Sequence, residues 1–563
     1  MSSDVPVLVV GGGLVGLSAA LFLSDLGIPV LLVEQHSGTS TLPRGRGLSL
    51  RSTEVFRAAG VEEALRAAPA SILRDLPAIM HADTLVGEER FRTVRPAPDT
   101  YTDISPTTPV VVDQNAVEPV LREQARRRGA QLRFSTRLDS FEQGDDGVTA
   151  VLRDRVTGST STVRADYLVA ADGHRSAIRG ALGVGTSGSG TITRYANIPF
   201  EADLSGPLRG RRLALCYLER PVSNTMLTRL DDPRRWVLMV PCGDDGGLPA
   251  GEFPRLIREA VGQDVEVRVL DSQLAEHGRA PTWDLASWIA DRFRVGRVFL
   301  AGDSAHVTPP AGGLGGNAGI QDAHNLAWKL AAVVRGHAAP ALLDTYERER
   351  RAVATLTADF SAQRQAGRIA GRGDGASGLD PVAVGLGYRY TSAAIVPTPV
   401  AGKRNAVSAG VGTDRDRIEA GAATPSRDFT GRPGRRAPHL WLRRAGRPVS
   451  TLDLYRGDFV LVAGAKADRW AEAGRRAEVK VPMVVYQLGH DLEDERGDWA
   501  SAHEVGHAGA VLVRPDGFVC WRAPDDVEAG PAVLAKVFDQ ILGRRTEPES
   551  GRPCDDAGRA QRV

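Results

Sequence analysis

The first 34 residues constrain the fold of this chain most strongly. They contain a short apolar run (5–10), the glycine-rich segment GGGLVG (11–16), an apolar helical stretch, and a second apolar run (30–33) that ends at Glu34. A strand, a G-x-G-x-x-G turn, a helix and a second strand followed by an acid together predict a dinucleotide-binding β–α–β unit. The glycines allow close approach of a pyrophosphate, and the acid accepts hydrogen bonds from ribose hydroxyls. Glu34 argues against a 2′-phosphate at this site and leaves NAD and FAD both open.

A second stretch, residues 297–334, has the features of a ligand-binding strand end. A short apolar run leads into Gly302-Asp303, and a Pro-Pro pair and a glycine-rich loop (309–316) follow. A helical pattern then begins near Asn317. This arrangement predicts a carboxylate at the carboxyl end of a strand beside a helix N-terminus, where α/β sheets bind ligands. Taken alone, the stretch is equally typical of an ordinary strand–loop–helix unit with a glycine turn.

A third apolar run precedes ADGHRSAIR (171–179), so three glycine- and aspartate-containing blocks follow one another along the chain. This set closely resembles the single-component FAD-dependent aromatic hydroxylases of the p-hydroxybenzoate hydroxylase type. The segments LLDTYERER (342–350), STLDL (450–454) and LVRPDGFVCWR (512–522) extend the resemblance to the aromatic polyketide hydroxylase branch, which includes aklavinone and tetracenomycin hydroxylases. The resemblance covers nearly the whole chain.

The resemblance implies an α/β fold: a Rossmann-like FAD-binding domain, an inserted antiparallel β-sheet substrate domain and a C-terminal thioredoxin-like domain. Short apolar runs separated by turn residues between 190 and 290 independently favour an antiparallel sheet. The expected boundaries are 1–180 with 291–370 for the FAD-binding domain, 181–290 for the substrate domain, 371–435 for a connecting region, 436–543 for the thioredoxin-like domain, and 544–563 for a disordered tail. The C-terminal domain has no CxxC motif, so we expect it to be structural and not redox active.

The fingerprint and the resemblance together predict the residues that bind FAD. Arg44 and Gln114 rest on the resemblance, because in isolation they would be a solvated basic residue and an ordinary helix-start residue. The full predicted set is Gly11, Gly13, Leu14, Val15, Gly16, Glu34, Gln35, Arg44, Gln114, Asp172, Asp303, Pro310, Gly313, Gly315, Gly316 and Asn317. No second fingerprint is visible, so NADPH or NADH is expected to bind transiently, as in the family.

The resemblance implies hydroxylation of an aromatic polyketide, with O₂ captured as a flavin C4a-hydroperoxide. Tyr217, on a strand resembling the substrate-facing strand of the family, is a candidate for orienting or relaying the substrate proton, although a buried structural tyrosine is equally consistent. Arg364 and Arg368, one helical turn apart, are candidates for stabilising a phenolate, although each taken alone is more typical of an outward, solvated helix face. Two alternatives stay open: Baeyer–Villiger insertion or epoxidation by the same chemistry, and a flavoprotein that acts as a redox sensor or interaction module.

Composition excludes several other classes of protein. The net charge is +1 and the pI is about 7.8, so nothing indicates nucleic acid or an anionic membrane as a partner. The four cysteines, 216, 242, 520 and 554, are scattered, which argues against disulfides and zinc. Neither a signal peptide nor an apolar run long enough to span a membrane is visible. We therefore expect a cytoplasmic enzyme, either a monomer or a homo-oligomer.

Overall fold

The structure, a computed structural model, describes residues 3–41, 44–243, 248–270, 280–373, 379–397 and 426–544. Its α-helices are Leu14–Asp25, Leu50–Ala58, Glu62–Ala67, Gln114–Arg127, Ala177–Ala181, Ser205–Leu208, Phe253–Val261, Gly315–Val334, Asp344–Ile369, Pro381–Leu386, Asp468–Arg476, Asp498–His503 and Pro531–Ile541. Three larger sheets, called here the first sheet, the second sheet and the C-terminal sheet, organise the chain.

The first sheet has a parallel centre. Its parallel strands run in the order Val298–Leu300, Thr160–Ala170, Ser3–Val10, Val30–Val33 and Gln131–Arg133. Arg294–Val295, Gly147–Asp154 and Thr136–Gly144 add to it in antiparallel pairing. Val30–Val33 is buried throughout, as expected when helices cover both faces of a parallel sheet. The predicted β–α–β unit and the strand before Gly302 therefore lie in one sheet, with their carboxyl ends at one edge.

The second sheet has nine strands and is antiparallel except where Leu213–Leu218 pairs with Ala78–Ala82. Its strands are Ala78–Ala82, Glu89–Val94, Thr186–Glu201, Leu213–Leu218, Thr225–Arg229, Arg235–Cys242, Arg268–Val269, Thr282–Ala290 and His306–Val307. One face packs on helix Phe253–Val261 in a core that includes Leu227, Leu238 and Ile257. The opposite face carries a smaller cluster around Tyr195, Tyr217, Met226 and Leu285.

Three strands of the second sheet lie outside the predicted 181–290 range. Ala78–Ala82 and Glu89–Val94 come from the first 180 residues, and His306–Val307 follows the first sheet. The sequence does not reveal this, because an edge pairing between distant segments is selected by the path of the whole chain. The second sheet is thus built from the polypeptide on both sides of the insert.

The C-terminal unit contains a four-stranded sheet in the order Met483–Gln487, Phe459–Ala463, Ala510–Val513 and Val519–Ala523. Helix Asp468–Arg476 connects the first, parallel pair, and helix Pro531–Ile541 closes the unit through Phe538, whose ring meets Phe459 at 5.1 Å. A smaller hairpin, Trp441–Arg444 with Arg447–Ser450, precedes the sheet. A β–α–β unit followed by a hairpin and a helix is compatible with the thioredoxin-like fold that the resemblance implies.

Cys520 illustrates why this unit is not expected to do redox chemistry. Its thiol is fully buried, and burial raises its pKa well above the usual value, so it is kept as an inert thiol. Part of the expected connecting region (374–378 and 398–425), the tail from 545 onward, and Cys554 lie outside the described residues. Among the described helices, none is long and apolar enough to cross a membrane.

Buried ion pairs join the C-terminal unit to the rest of the molecule. Arg436 donates to the carboxylate of Glu54, on helix Leu50–Ala58, at 2.9 Å. Arg514 pairs with Glu349, on helix Asp344–Ile369, at 2.6 Å. All four side chains are inaccessible to solvent or nearly so. Breaking either pair would leave a buried charge uncompensated, which is strongly destabilising, so the two bodies are held in one relative position.

Candidate active site

The glycine turn at residues 11–16 can be formed only by glycine at two positions. Gly11 has φ +110°, and a Cβ there would lie 2.2 Å from the carbonyl oxygen of Ala171. A Cβ at Gly16 would lie 1.9 Å from the carbonyl oxygen of Gly11. The turn therefore leaves an open cradle of backbone at the N-terminus of helix Leu14–Asp25, whose first amide groups have no helical acceptor.

Glu34 lies beside this cradle, as its predicted role requires. Its carboxylate accepts the amide N–H of Gly12 at 2.6 Å and that of His36 at 2.8 Å. The bond from Gly12 ties the end of strand Val30–Val33 to the glycine turn. The neighbouring predicted residue, Gln35, has an exposed side chain, and its carbonyl oxygen accepts a hydrogen bond from Arg155.

Asp303 occupies the carboxyl end of strand Val298–Leu300. The residue is exposed to solvent, but protein surrounds its carboxylate closely. The resulting desolvation raises the pKa of Asp303, and the positive charges of His306, His174 and Arg44 act in the opposite direction. Within the described parts of the chain, no group donates a hydrogen bond to it. An acid that is held in a cleft without a donor is well suited to bind the hydroxyl groups of a ligand.

The N-terminus of helix Gly315–Val334 meets that of helix Leu14–Asp25. A Cβ at Gly316 would lie 3.1 Å from Leu14, and one at Gly319 would lie 2.5 Å from Val15 and 3.0 Å from the Cα of Gly302. The loop before this helix turns through Gly312 and Gly313, both with positive φ, and its Pro310 is exposed. Two helix N-termini and the Asp303 carboxylate therefore converge on one cleft, a combination suited to a ligand with anionic and hydroxyl groups.

Two of the predicted cofactor residues also have structural roles. Asn317 donates to the carbonyl oxygens of Gly313 (2.7 Å) and Gly47 (3.2 Å), and accepts the amide of Ser49 (2.8 Å). Its side chain therefore clamps the glycine loop to segment 44–49. Asp172 accepts the amide of Ile178 at 3.3 Å, and its other oxygen is buried without a hydrogen-bond partner in the described residues.

Gln114 and Glu118 connect the Arg44 segment to the glycine turn. The side-chain oxygen of Gln114 accepts the amide of Gly45 (3.1 Å), and its nitrogen donates to Glu118 (2.7 Å). Glu118 is 1% exposed, burial raises its pKa, and a Cβ at Gly13 would lie 3.7 Å from it. The sequence reasoning missed Glu118, although its i, i+4 spacing from Gln114 on a helix was an available signal.

The face of the second sheet that lies opposite helix Phe253–Val261 carries a row of side chains on successive strands. The row comprises Phe91, His81, Tyr217, Met226, Met239 and Asn197, each paired in register with the next. Tyr195 and Trp283 stack beside it with ring centroids 5.1 Å apart. Met239 and Trp283 are partly exposed. Apart from His81 and Asn197, the side chains of this row and its neighbours are aromatic or apolar, a composition suited to a flat ring system.

The C-terminal half of helix Asp344–Ile369 lies over this face. The hydroxyl group of Tyr217 is 3.5 Å from the side-chain oxygen of Gln365, and both residues are buried. Arg364 is half-buried and Arg368 is buried on the same helix. The structure thus brings Tyr217 to the helix segment that was predicted to assist it, but the residue in hydrogen-bonding range is Gln365. Sequence reasoning missed Gln365 because only the arginines suggested charge stabilisation.

The residues present fit a bound FAD. A Cβ at Gly11 or Gly16 would collide with backbone carbonyl oxygens, so only glycine keeps the turn before helix Leu14–Asp25 in this shape. Asp303 and one oxygen of Asp172 lack donors among the described residues, and two helix N-termini face the same space. Residues 4–361 match the family model described as FAD binding domain, and residues 430–544 match the one described as aromatic-ring hydroxylase, C-terminal. The chain therefore belongs to the FAD-dependent aromatic-ring hydroxylases and is a monooxygenase of that class. This confirms the predicted family. It also shows that the dinucleotide is FAD, where the glycine fingerprint alone left NAD and FAD both open.

Similar proteins extend over almost the entire chain. A tetracenomycin B2 monooxygenase-dioxygenase of Streptomyces olivaceus is 41% identical, with 96% of this chain and 99% of that protein covered. An aklavinone 12-hydroxylase of Streptomyces purpurascens is 38% identical, with 96% and 99% covered. Among solved structures, a ternary complex of aklavinone-11 hydroxylase with FAD and aklavinone has a TM-score of 0.83 at 36% identity, with 97% of this chain and 100% of that chain covered. The predicted fold class is confirmed by this match.

Proposed function

We propose that this enzyme uses O₂ and NADPH or NADH to hydroxylate an aromatic polyketide, that is, a polycyclic phenol or quinone. The observation that carries this choice is the aromatic face around Tyr217, which lies between the second sheet and helix Asp344–Ile369. The same face adjoins the loop before helix Gly315–Val334, since a Cβ at Gly312 would lie 3.6 Å from Phe360 of helix Asp344–Ile369. The relatives named for tetracenomycin and aklavinone support a substrate of this kind. A dependence on reduced nicotinamide is the reason to place the reaction in the cytoplasm.

We assign the cofactor contacts to the residues that the cleft brings together. Glu34 would bind the ribose hydroxyls, Asp303 the hydroxyls of the ribityl chain, and the N-terminus of helix Leu14–Asp25 the pyrophosphate. The N-terminus of helix Gly315–Val334 would stabilise negative charge on the reduced ring. Bound FAD supplies the uptake of reducing equivalents and the activation of O₂.

The substrate contacts follow from the chemistry of a phenol. A phenolate is a better nucleophile than a phenol, so a pocket that favours ionisation accelerates attack on electrophilic oxygen. We propose that Tyr217, placed by Gln365, orients the phenolic group or relays its proton toward water, while Arg364 or Arg368 favours the anionic form that is left. The aromatic and apolar side chains around Tyr217 would hold the fused rings and exclude water.

The test uses the FAD-loaded protein with NADPH and a panel of tetracyclic and monocyclic phenols. We expect tetracyclic phenols to stimulate NADPH oxidation, and we expect a product with one additional oxygen bound to an aromatic carbon, shown by mass and NMR. A ring-expanded or epoxide product would replace hydroxylation by the Baeyer–Villiger or epoxidation alternative. Stronger stimulation by monocyclic phenols would refute the polyketide assignment. NADPH oxidation that no aromatic compound alters would favour the redox-sensor alternative.

A further inference from the structure

The turn that carries Asp303 is held from beneath by a buried carboxylate. Asp322, on helix Gly315–Val334, is fully buried, and its Oδ2 accepts the amide N–H of Gly302 at 3.1 Å. The same oxygen lies 2.7 Å from Nε2 of His306, which begins the short strand that joins the second sheet. One carboxylate thus connects the Asp303 turn, the long helix and the second sheet.

Arg350 completes this arrangement from helix Asp344–Ile369. Its Nε donates to Oδ1 of Asp322 at 2.7 Å, its Nη1 to the hydroxyl of Tyr390 at 3.0 Å, and its Nη2 to the carbonyl oxygen of Ala318 at 3.1 Å. Ala318 lies in the first turn of helix Gly315–Val334. A planar guanidinium can satisfy three acceptors in fixed directions, whereas a lysine ammonium on the same backbone cannot reach all three.

We propose that Asp322 and Arg350 are positioning residues that set Asp303 relative to the N-terminus of helix Gly315–Val334, and so control the affinity and the environment of FAD without touching it. The inference rests on the proposed role of Asp303. A buried ion pair is weak evidence for stability, since apolar residues of similar size often serve as well. Here both charged groups also bond to the backbone of the two segments that converge on the cofactor cleft, at Gly302 and Ala318, which apolar residues could not do.

Glu349 provides a matched control. It precedes Arg350 in the chain, is equally buried, and pairs with Lys329 (2.8 Å) and Arg514 (2.6 Å). Lys329 lies toward the far end of helix Gly315–Val334, as does Asn325, which donates to Glu349 at 2.8 Å, and Arg514 lies in the C-terminal unit. None of these partners lies on the Gly302 turn or in the first turn of the helix. Glu349→Gln therefore removes a buried charge of the same kind from the same helix while leaving the Asp322 contacts in place.

The experiment compares Asp322→Asn, Arg350→Lys and Glu349→Gln with the wild type. The dissociation constant of FAD is measured by fluorescence titration of the apoprotein, the flavin environment by visible circular dichroism, and thermal unfolding in parallel. We expect Asp322→Asn to raise the FAD dissociation constant about tenfold or more and to change the visible dichroism, because the Gly302 amide loses a charged acceptor. Arg350→Lys should fall between it and the wild type. Glu349→Gln should lower the melting temperature with FAD affinity changed less than about twofold.

Two results would overturn the inference. One is an equal loss of FAD affinity in Asp322→Asn and Glu349→Gln, which would indicate general destabilisation. The other is wild-type affinity and dichroism in both Asp322→Asn and Arg350→Lys. Since Arg350→Lys keeps the charge, it tests the idea even if Asp322→Asn does not fold. The role of Asp303 is tested separately with Asp303→Ala. Wild-type FAD affinity in this variant would show that Asp303 does not bind the cofactor. Reduced FAD affinity in Asp303→Ala together with wild-type affinity in Asp322→Asn would refute only the positioning inference.

Discussion

Replacing Gly319 with alanine tests the convergence of the two helix N-termini directly. The new methyl group would lie 2.5 Å from Cγ2 of Val15 and 3.0 Å from the Cα of Gly302. Carbon atoms in contact are normally about 3.5–4.0 Å apart, so the two helices or the Gly302 turn must move by roughly 1 Å. Overpacking of this kind costs about 1–3 kcal/mol, and the higher helix propensity of alanine returns about 1 kcal/mol at most. Because the contact with Gly302 is to backbone, which cannot rotate away, the cost should lie in the upper part of this range, at about 2–3 kcal/mol, and the net loss should be about 1–2 kcal/mol.

The loss should affect cofactor binding as well as stability, because the displaced atoms lie beneath the cleft. If it is expressed fully in binding, FAD affinity falls about tenfold. Fluorescence titration of the apoprotein with FAD and thermal unfolding of the same sample measure the two effects. Val15→Ala in the Gly319→Ala background removes the closer clash and should recover much of both losses.

The matched control is Gly180→Ala. Gly180 is also helical, in Ala177–Ala181, but a Cβ there would meet no atom within 4 Å. This variant should be as stable as the wild type or slightly more stable, with unchanged FAD affinity. Wild-type affinity and stability in Gly319→Ala, or a failure of Val15→Ala to rescue it, would refute the close packing of the two helices at this point.

Three further predictions concern the cofactor, the chemistry and the effect of pH. Asp303→Ala should weaken FAD binding by about 1.5–3 kcal/mol in a fluorescence titration, because ribityl hydroxyls lose a charged acceptor; wild-type affinity would contradict this. Tyr217→Phe should slow hydroxylation by up to about 10²–10⁴-fold and increase release of hydrogen peroxide while NADPH still reduces the flavin; unchanged product yield per NADPH would remove Tyr217 from the mechanism. Burial lowers the pKa of His503 to about 4, helped by Arg522 and opposed by its contact with the Trp499 carbonyl. Because this histidine is protonated near pH 6.5 in the unfolded chain, the free energy of unfolding should fall by up to about 3 kcal/mol as pH falls from 6.5 to 4. Urea unfolding across this range should show a smaller fall in His503→Asn. An equal fall in that variant would show that other groups dominate the pH dependence.

The sequence by itself determined the parts of the site that are built from consecutive residues. The glycine turn, Glu34, and Asp303 after its strand all lie where the pattern predicts, because backbone sterics and strand-to-helix geometry are set locally. The absence of CxxC was enough to argue against redox chemistry in the C-terminal unit.

Only the tertiary structure decided which distant segments meet. In the structure, Ala78–Ala82 pairs with Leu213–Leu218 in the second sheet. Gln365, and not an arginine, lies beside the hydroxyl of Tyr217. Arg350 donates to Asp322 beneath the Asp303 turn. It also showed that the Asn317 side chain clamps two loops together. These contacts depend on how helices and sheets pack across the whole chain, and no periodicity within a short segment encodes the partner of a side chain that lies many residues away.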